Sequence, residues 1–252
     1  HVAQSPLRGQ ERVSQPTRCV CVRLGTRGPL ILTRRFHKLP KKMRVGWVGV
    51  GVMGRHMVGH LMNAGHEVSV FSRTAAKCAP LVERGAFPAA TPAEASCNAD
   101  VVFTMVGTPI DVETVILGDQ GVLSALDPGA VVVDCTTSTP SLAVQVAAWA
   151  AAQGAHSLDA PVSGGDVGAE AGTLSIMCGG SEVAMSKTLP LLELMGRPRR
   201  MGGPGAGQHT KMANQVAGVN HTQPHLSPAP QPASSPIASQ PIPSRRSLPA
   251  PT

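Results

Sequence analysis

Val45-Gly46-Trp47-Val48-Gly49-Val50-Gly51-Val52-Met53-Gly54 is the stretch whose reading decides the fold. The apolar run over 45–50 predicts a buried strand, the residues over 53–63 predict a helix, and Gly65 is placed to end that helix. Between strand and helix, Gly49, Gly51 and Gly54 with Val50, Val52 and Met53 fit the pattern G-x-G-x-x-G. Glycines there permit a tight turn, let backbone approach a pyrophosphate and allow the helix to pack closely. The free amides at the helix start favour the phosphate charge. A plain strand-to-helix turn uses the same glycines, and only the strand and helix on either side make the pattern a dinucleotide site.

Outward from this unit, short β-rich runs recur at 68–71, 101–105, 131–134 and 174–177, with Ala-rich helical stretches between several of them, as at 142–152. Strands alternating with helices predict an α/β fold with a Rossmann-type, doubly wound and mostly parallel sheet. The end of the second strand reads Phe71-Ser72-Arg73-Thr74. An acid there would hold a ribose 2′-hydroxyl and an arginine accommodates a 2′-phosphate, so Ser72, Arg73 and Thr74 point to NADP in preference to NAD. Arg73 also reads as a solvated residue at a strand end.

The net charge of +7 divides unevenly. Residues 1–42 hold ten Lys/Arg against the single acid Glu11, whereas residues 43–216 carry −4. An acidic folded region with four Phe, two Trp and no Tyr lacks the phosphate-neutralising face and stacking residues of a nucleic-acid binder. The six cysteines, at 19, 21, 78, 97, 135 and 178, form no CxxC pair and no zinc spacing, and read as reduced thiols. No apolar run reaches the roughly 18 residues of a membrane span, so a soluble protein without membrane partners is expected.

The ends differ from the middle. Residues 1–42, arginine-rich and acid-poor, resemble an organelle transit peptide, which implies a mitochondrial or plastid location. If Met43 is the true start, this leader is untranslated sequence and the location is cytoplasmic. Residues 217–252 turn to Pro, Ser, Ala and Gln, a composition that predicts disorder or polyproline conformation.

Three further motifs follow the glycine turn in order: Asp134-Cys135-Thr136-Thr137-Ser138-Thr139-Pro140, then Asp159-Ala160-Pro161-Val162-Ser163-Gly164-Gly165, then Gly205-Ala206-Gly207-Gln208-His209-Thr210-Lys211-Met212-Ala213-Asn214. With them the chain from about 44 to 215 resembles the β-hydroxyacid dehydrogenases, the group of 3-hydroxyisobutyrate dehydrogenase and its semialdehyde-reductase relatives, which share the NADP-binding domain of 6-phosphogluconate dehydrogenase.

The resemblance implies a nicotinamide-dependent oxidoreductase acting on a small carboxylate, a β-hydroxy acid or the matching semialdehyde. It assigns Lys211 as proton donor and acceptor and Asn214, three residues on and so on the same helix face, as the residue that positions the substrate oxygen. Ser163, Gly164 and Gly165 would hold the substrate carboxylate, which suits a hydroxyl beside amides freed by glycine; a glycine-rich connecting loop reads the same way. Val106 and Thr137 join the cofactor residues. His209, two residues from Lys211, falls on another face.

The implied domains are the NAD(P)-binding domain at 43–204 and the start of an interdomain helix at 205–216. The family's all-helical second domain, with most of its oligomer interface, is expected to be absent. A chain so truncated is expected to bind NADP weakly and turn over slowly or not at all, and its alternative reading is a non-catalytic NADP-binding module.

Overall fold

The computed structural model describes residues 42–222, with side chains described through 217. The expected leader and tail otherwise lie outside the described residues. In chain order the elements are β1 (Arg44–Val48), α1 (Gly54–Asn63), β2 (Glu67–Phe71), α2 (Ala79–Val82), β3 (Phe87–Pro88), α3 (Pro92–Ser96), β4 (Val101–Thr104), α4 (Pro109–Leu117), β5 (Val131–Asp134), α5 (Pro140–Ala152), β6 (His156–Asp159), β7 (Val162–Ser163), α6 (Gly165–Ala171), β8 (Leu174–Gly180), α7 (Glu182–Leu192), β9 (Gly196–Gly202) and α8 (Ala206–Thr222).

Six strands pair in parallel in the order β3-β2-β1-β4-β5-β6. The chain winds one way from β1 to β3, then returns to β4 on the other side of β1. That reversal opens a crevice beyond the carboxyl ends of β1 and β4, the place where doubly wound sheets bind their ligands. Beyond β6 the sheet becomes mixed: β8 runs antiparallel to β6, β7 antiparallel to β8, and β9 parallel to β8.

Both faces of the sheet are covered, as parallel strands require. On one face Trp47, Met57, Leu61, Phe103 and Leu191 form one core cluster, and on the other Val48, Val102, Ile116, Val132 and Val146 form a second. Trp47 and Phe103 are register partners on neighbouring strands and stack with centroids 5.3 Å apart. Several helices start by one local rule. Thr91, Thr108 and Thr139 each cap the helix that follows by accepting an amide from the first turn, and each precedes a proline at the first helical position.

The structure departs from the sequence reading at several boundaries. The strand expected over 45–50 stops at Val48, because Gly49 turns the backbone at φ +105 and donates its amide to the Phe71 carbonyl at 2.8 Å. Strands β3, β6, β7 and β9 lie where no strand was expected. The helix expected to span 205–216 continues through Thr222, so the boundary drawn at 217 falls inside α8; proline, which ends helices, first recurs at Pro224. Among the described residues Cys78, Cys97, Cys135 and Cys178 are free, and Cys19 and Cys21 lie outside them. Among the described residues no helix is long and apolar enough to cross a membrane, and no three His, Cys, Asp or Glu side chains gather as for a metal ion.

Candidate active site

The crevice at the switch point has a volume of about 350 Å³. Its walls are the Gly49–Gly54 turn, Ser72, Arg73 and Thr74 after β2, and Met105, Val106 and Gly107 after β4. Every cofactor residue expected from the sequence therefore lines one cavity, except Thr137, which stands exposed beyond β5 and outside that lining. Lys77 and Asp111 line it too and were not anticipated.

The three glycines of the turn answer two separate demands. A Cβ on Gly49 would collide with the Met105 carbonyl oxygen, and one on Gly54 with the Gly49 carbonyl oxygen, so these two hold strand, turn and helix in contact. A Cβ on Gly51 would meet nothing within 4 Å. That open backbone faces the crevice, at the start of a helix with no acid in its first turn. Residues of this kind fit a dinucleotide: a phosphate can reach the Gly51 backbone, and the α1 dipole favours its charge.

The second group of residues lies on the far side of β5. Gly164, at φ +135, and Gly165, at φ +64, make the turn from β7 into α6 in conformations that side chains other than glycine rarely adopt. Asn214 on α8 donates its Nδ2 to Ser163 Oγ at 3.4 Å, which joins two of the expected site residues directly. Lys211, on the same face of α8 as Asn214, is 8% exposed, and burial lowers its pKa from the ordinary lysine value. Among the described residues it has no ion-pair partner. His209 is exposed, on a different face, as expected.

A buried polar network that the sequence reading missed anchors the lysine helix. Asp159, at the end of β6, accepts the Gly205 amide at 2.8 Å and the Gln208 amide at 2.9 Å, so one carboxylate caps the start of α8. Gln208, fully buried, accepts the Ser138 amide at 2.9 Å and donates to the Thr136 carbonyl at 2.8 Å. Thr136 Oγ1 in turn accepts the Val106 amide at 3.0 Å. Hydrogen bonds thus run unbroken from the crevice wall at Val106 to the helix that carries Lys211. Gly207 belongs to the same join, since a Cβ there would collide with the Met177 carbonyl oxygen of β8. Asp159 and Gln208 both stood within the motifs already quoted; their burial depends on strand pairing and is invisible in a linear pattern.

Asp134, paired in register with Asp159, accepts Thr104 Oγ1 at 2.8 Å and the Thr136 amide at 3.0 Å. Burial outweighs these bonds and pushes its pKa up to about 6 from 3.8. A carboxyl whose folded pKa lies above its unfolded value binds more proton when folded. Asp134 therefore stabilises the fold increasingly as pH falls from about 7 to about 4, by on the order of 3 kcal/mol. Asp134→Asn is expected to remove that contribution: in urea unfolding across this range, the difference between wild type and variant should shift toward the wild type as pH falls. A difference independent of pH would contradict the assignment.

With this geometry in view, comparison with known proteins places the chain. The family model described as the NAD binding domain of 6-phosphogluconate dehydrogenase matches residues 44–218. The chain belongs to the β-hydroxyacid dehydrogenase family. It is 49% identical over 178 residues to the probable 3-hydroxyisobutyrate dehydrogenase-like 1, mitochondrial, of Arabidopsis thaliana, which covers 70% of this chain and 53% of that relative. Among solved structures it resembles the Mycobacterium tuberculosis 3-hydroxyisobutyrate dehydrogenase with L-serine, at 34% identity and TM-score 0.66, covering 70% of this chain and 60% of that one. A second likeness, at 33% identity and TM-score 0.66, is to Psf3 in complex with NADP+ and 2-OPP, covering 69% of this chain and 62% of that one. The chain thus spans little more than half the length of the Arabidopsis relative. Its crevice lies within the residues matched by the NAD binding domain model.

Proposed function

We propose that this chain transfers a hydride between NADP(H) and a small β-hydroxy acid or its semialdehyde, with Lys211 as the proton-transfer residue. The observation that carries this reading is Lys211 itself. It is a buried amine with lowered proton affinity, held on a helix whose start is bonded to the loop behind the cofactor crevice. A lysine whose proton affinity is lowered by burial is free to accept a proton at a lower pH than an ordinary lysine.

In the oxidising direction, neutral Lys211 Nζ takes the hydroxyl proton as the carbon surrenders hydride, and in the reducing direction the ammonium returns it. The nicotinamide ring, when bound, is the two-electron acceptor or donor. Asn214 holds the reacting oxygen, while Ser163 Oγ and the amides of Gly164 and Gly165 receive the substrate carboxylate. On the cofactor side, Gly49, Gly51 and Gly54 with Val52 and Met53 take the pyrophosphate, Arg73 with Ser72 and Thr74 takes the ribose 2′-phosphate, and Val106 and Thr137 complete the set. The guanidinium and the absence of a carboxylate at 71–74 favour NADP over NAD. The relatives support the substrate class, since two of those described above carry 3-hydroxyisobutyrate dehydrogenase in their names.

Titration of the full chain with NADPH, followed by assay of 3-hydroxyisobutyrate with NADP+ and of glyoxylate and succinic semialdehyde with NADPH, tests this reading. Saturable binding with turnover of at least one acid is expected. Binding without any turnover would contradict it and favour a non-catalytic NADP-binding module.

A further inference from the structure

Arg73 does not stand free at the mouth of the crevice. Its Nη1 pairs with Asp111 Oδ1 at 2.8 Å, the shortest ion-pair distance, shared with one other pair, among the described residues. Asp111 lies in the first turn of α4, and both residues line the crevice. The two carboxylate oxygens have separate duties. Oδ2 accepts the Thr108 amide at 3.1 Å and the Thr108 hydroxyl at 2.9 Å, completing a capping box, while Oδ1 faces the guanidinium. The Asp111 side chain is 20% exposed and that of Arg73 78%, so the acid is the fixed member of the pair and the arginine the movable one.

We propose that Asp111 is a cofactor-discriminating residue that tempers the preference for NADP. It holds Arg73 when the ribose carries two hydroxyls and must yield it when the ribose carries a 2′-phosphate. This rests on the proposed assignment of Arg73 to that phosphate. A dianionic phosphate entering the crevice meets a guanidinium already neutralised and a carboxylate of its own sign, so part of the Arg73 attraction is spent on breaking the pair. The ribose of NADH brings no such charge and leaves the pair intact.

The test is direct binding: dissociation constants of NADPH and NADH for the full chain, measured by fluorescence titration in wild type, Asp111→Asn and Thr108→Ala. Asparagine keeps one oxygen for the Thr108 amide and presents a neutral group to Arg73, so the helix start survives while the pair is lost. Asp111→Asn is expected to tighten NADPH by about two- to fivefold, the scale of a partly exposed ion pair, with NADH unchanged or weaker. Thr108→Ala, which breaks the cap but keeps the carboxylate, should leave the NADPH/NADH ratio at the wild-type value. An unchanged ratio in Asp111→Asn, or the same shift in both variants, overturns the proposal. A wild type that binds neither dinucleotide overturns the functional reading, and this inference with it.

Discussion

Lys211→Met is expected to slow turnover by about 100- to 10,000-fold, the span general acid–base catalysis contributes, while leaving the affinity for NADPH unchanged. Methionine preserves the length and apolar packing of the buried lysine stem, so the fold of α8 should persist and the loss can be read as chemistry. The pH profile separates the two. Because burial lowers the Lys211 pKa from 10.5, hydroxyl oxidation in the wild type should rise with pH through a midpoint below that value, as the amine becomes free to accept a proton. That step should vanish from whatever activity remains in the variant. Lys211→Arg is expected to fail equally, since a guanidinium stays charged across the whole range. Steady-state rates of the two variants, set beside their NADPH titrations, check the claim. Equal losses of rate and of cofactor affinity would instead mean that Lys211 serves the fold.

The second large effect lies in the glycine turn, where two neighbouring positions should fail in opposite ways. Gly51→Val places its side chain in open space toward the crevice, with no atom within 4 Å of the new Cβ. Its stability should stay within about 1 kcal/mol of wild type, as for a substitution that disturbs no packing. Its affinity for NADPH should fall by about 100-fold, the equivalent of two lost charge-assisted hydrogen bonds to the pyrophosphate. Gly54→Val does the reverse. Its Cβ meets the Gly49 carbonyl oxygen and stands 3.1 Å from Trp47 Nε1, which itself donates to that carbonyl. Backbone cannot move aside as a flexible side chain does, so a loss of about 3 kcal/mol of stability is expected. Urea unfolding and NADPH titration of both variants give four numbers, and a Gly51→Val protein that binds normally would remove the crevice from the cofactor site.

The parts of the molecule that were legible in the sequence are those where local pattern and tertiary role coincide. The β1 turn into α1 is one, because an apolar run, three spaced glycines and a helical stretch all point to the same unit. The run Val131–Asp134 is another, a strand buried at every position. Strand β9 reads Gly-Arg-Pro-Arg-Arg-Met-Gly, with no apolar alternation to reveal it. It is an edge strand whose polar character suits its exposure, and only pairing with β8 makes it a strand. The helix that carries Lys211 and Asn214 was recognisable from spacing, and so was the shared face. What anchors it was not. Asp159 lies 49 residues from the Gln208 amide it accepts, and Thr136 lies 72 residues from the Gln208 side chain that bonds it. Likewise Arg73 and Asp111 meet only because β2 ends and α4 begins on the same rim of the sheet. Charge contacts of that range follow from topology and leave no periodic trace.

The proposed chemistry can be observed in one step. Full-length chain mixed with NADPH deuterated at the transferring position of the nicotinamide, together with succinic semialdehyde, glyoxylate or the semialdehyde of 3-hydroxyisobutyrate, should yield a hydroxy acid carrying one deuterium at its new carbinol carbon, read by mass spectrometry. Lys211→Met should give at least about 100-fold less in the same time. Bound cofactor, demonstrated by titration, with no deuterium in any product would contradict hydride transfer by this chain.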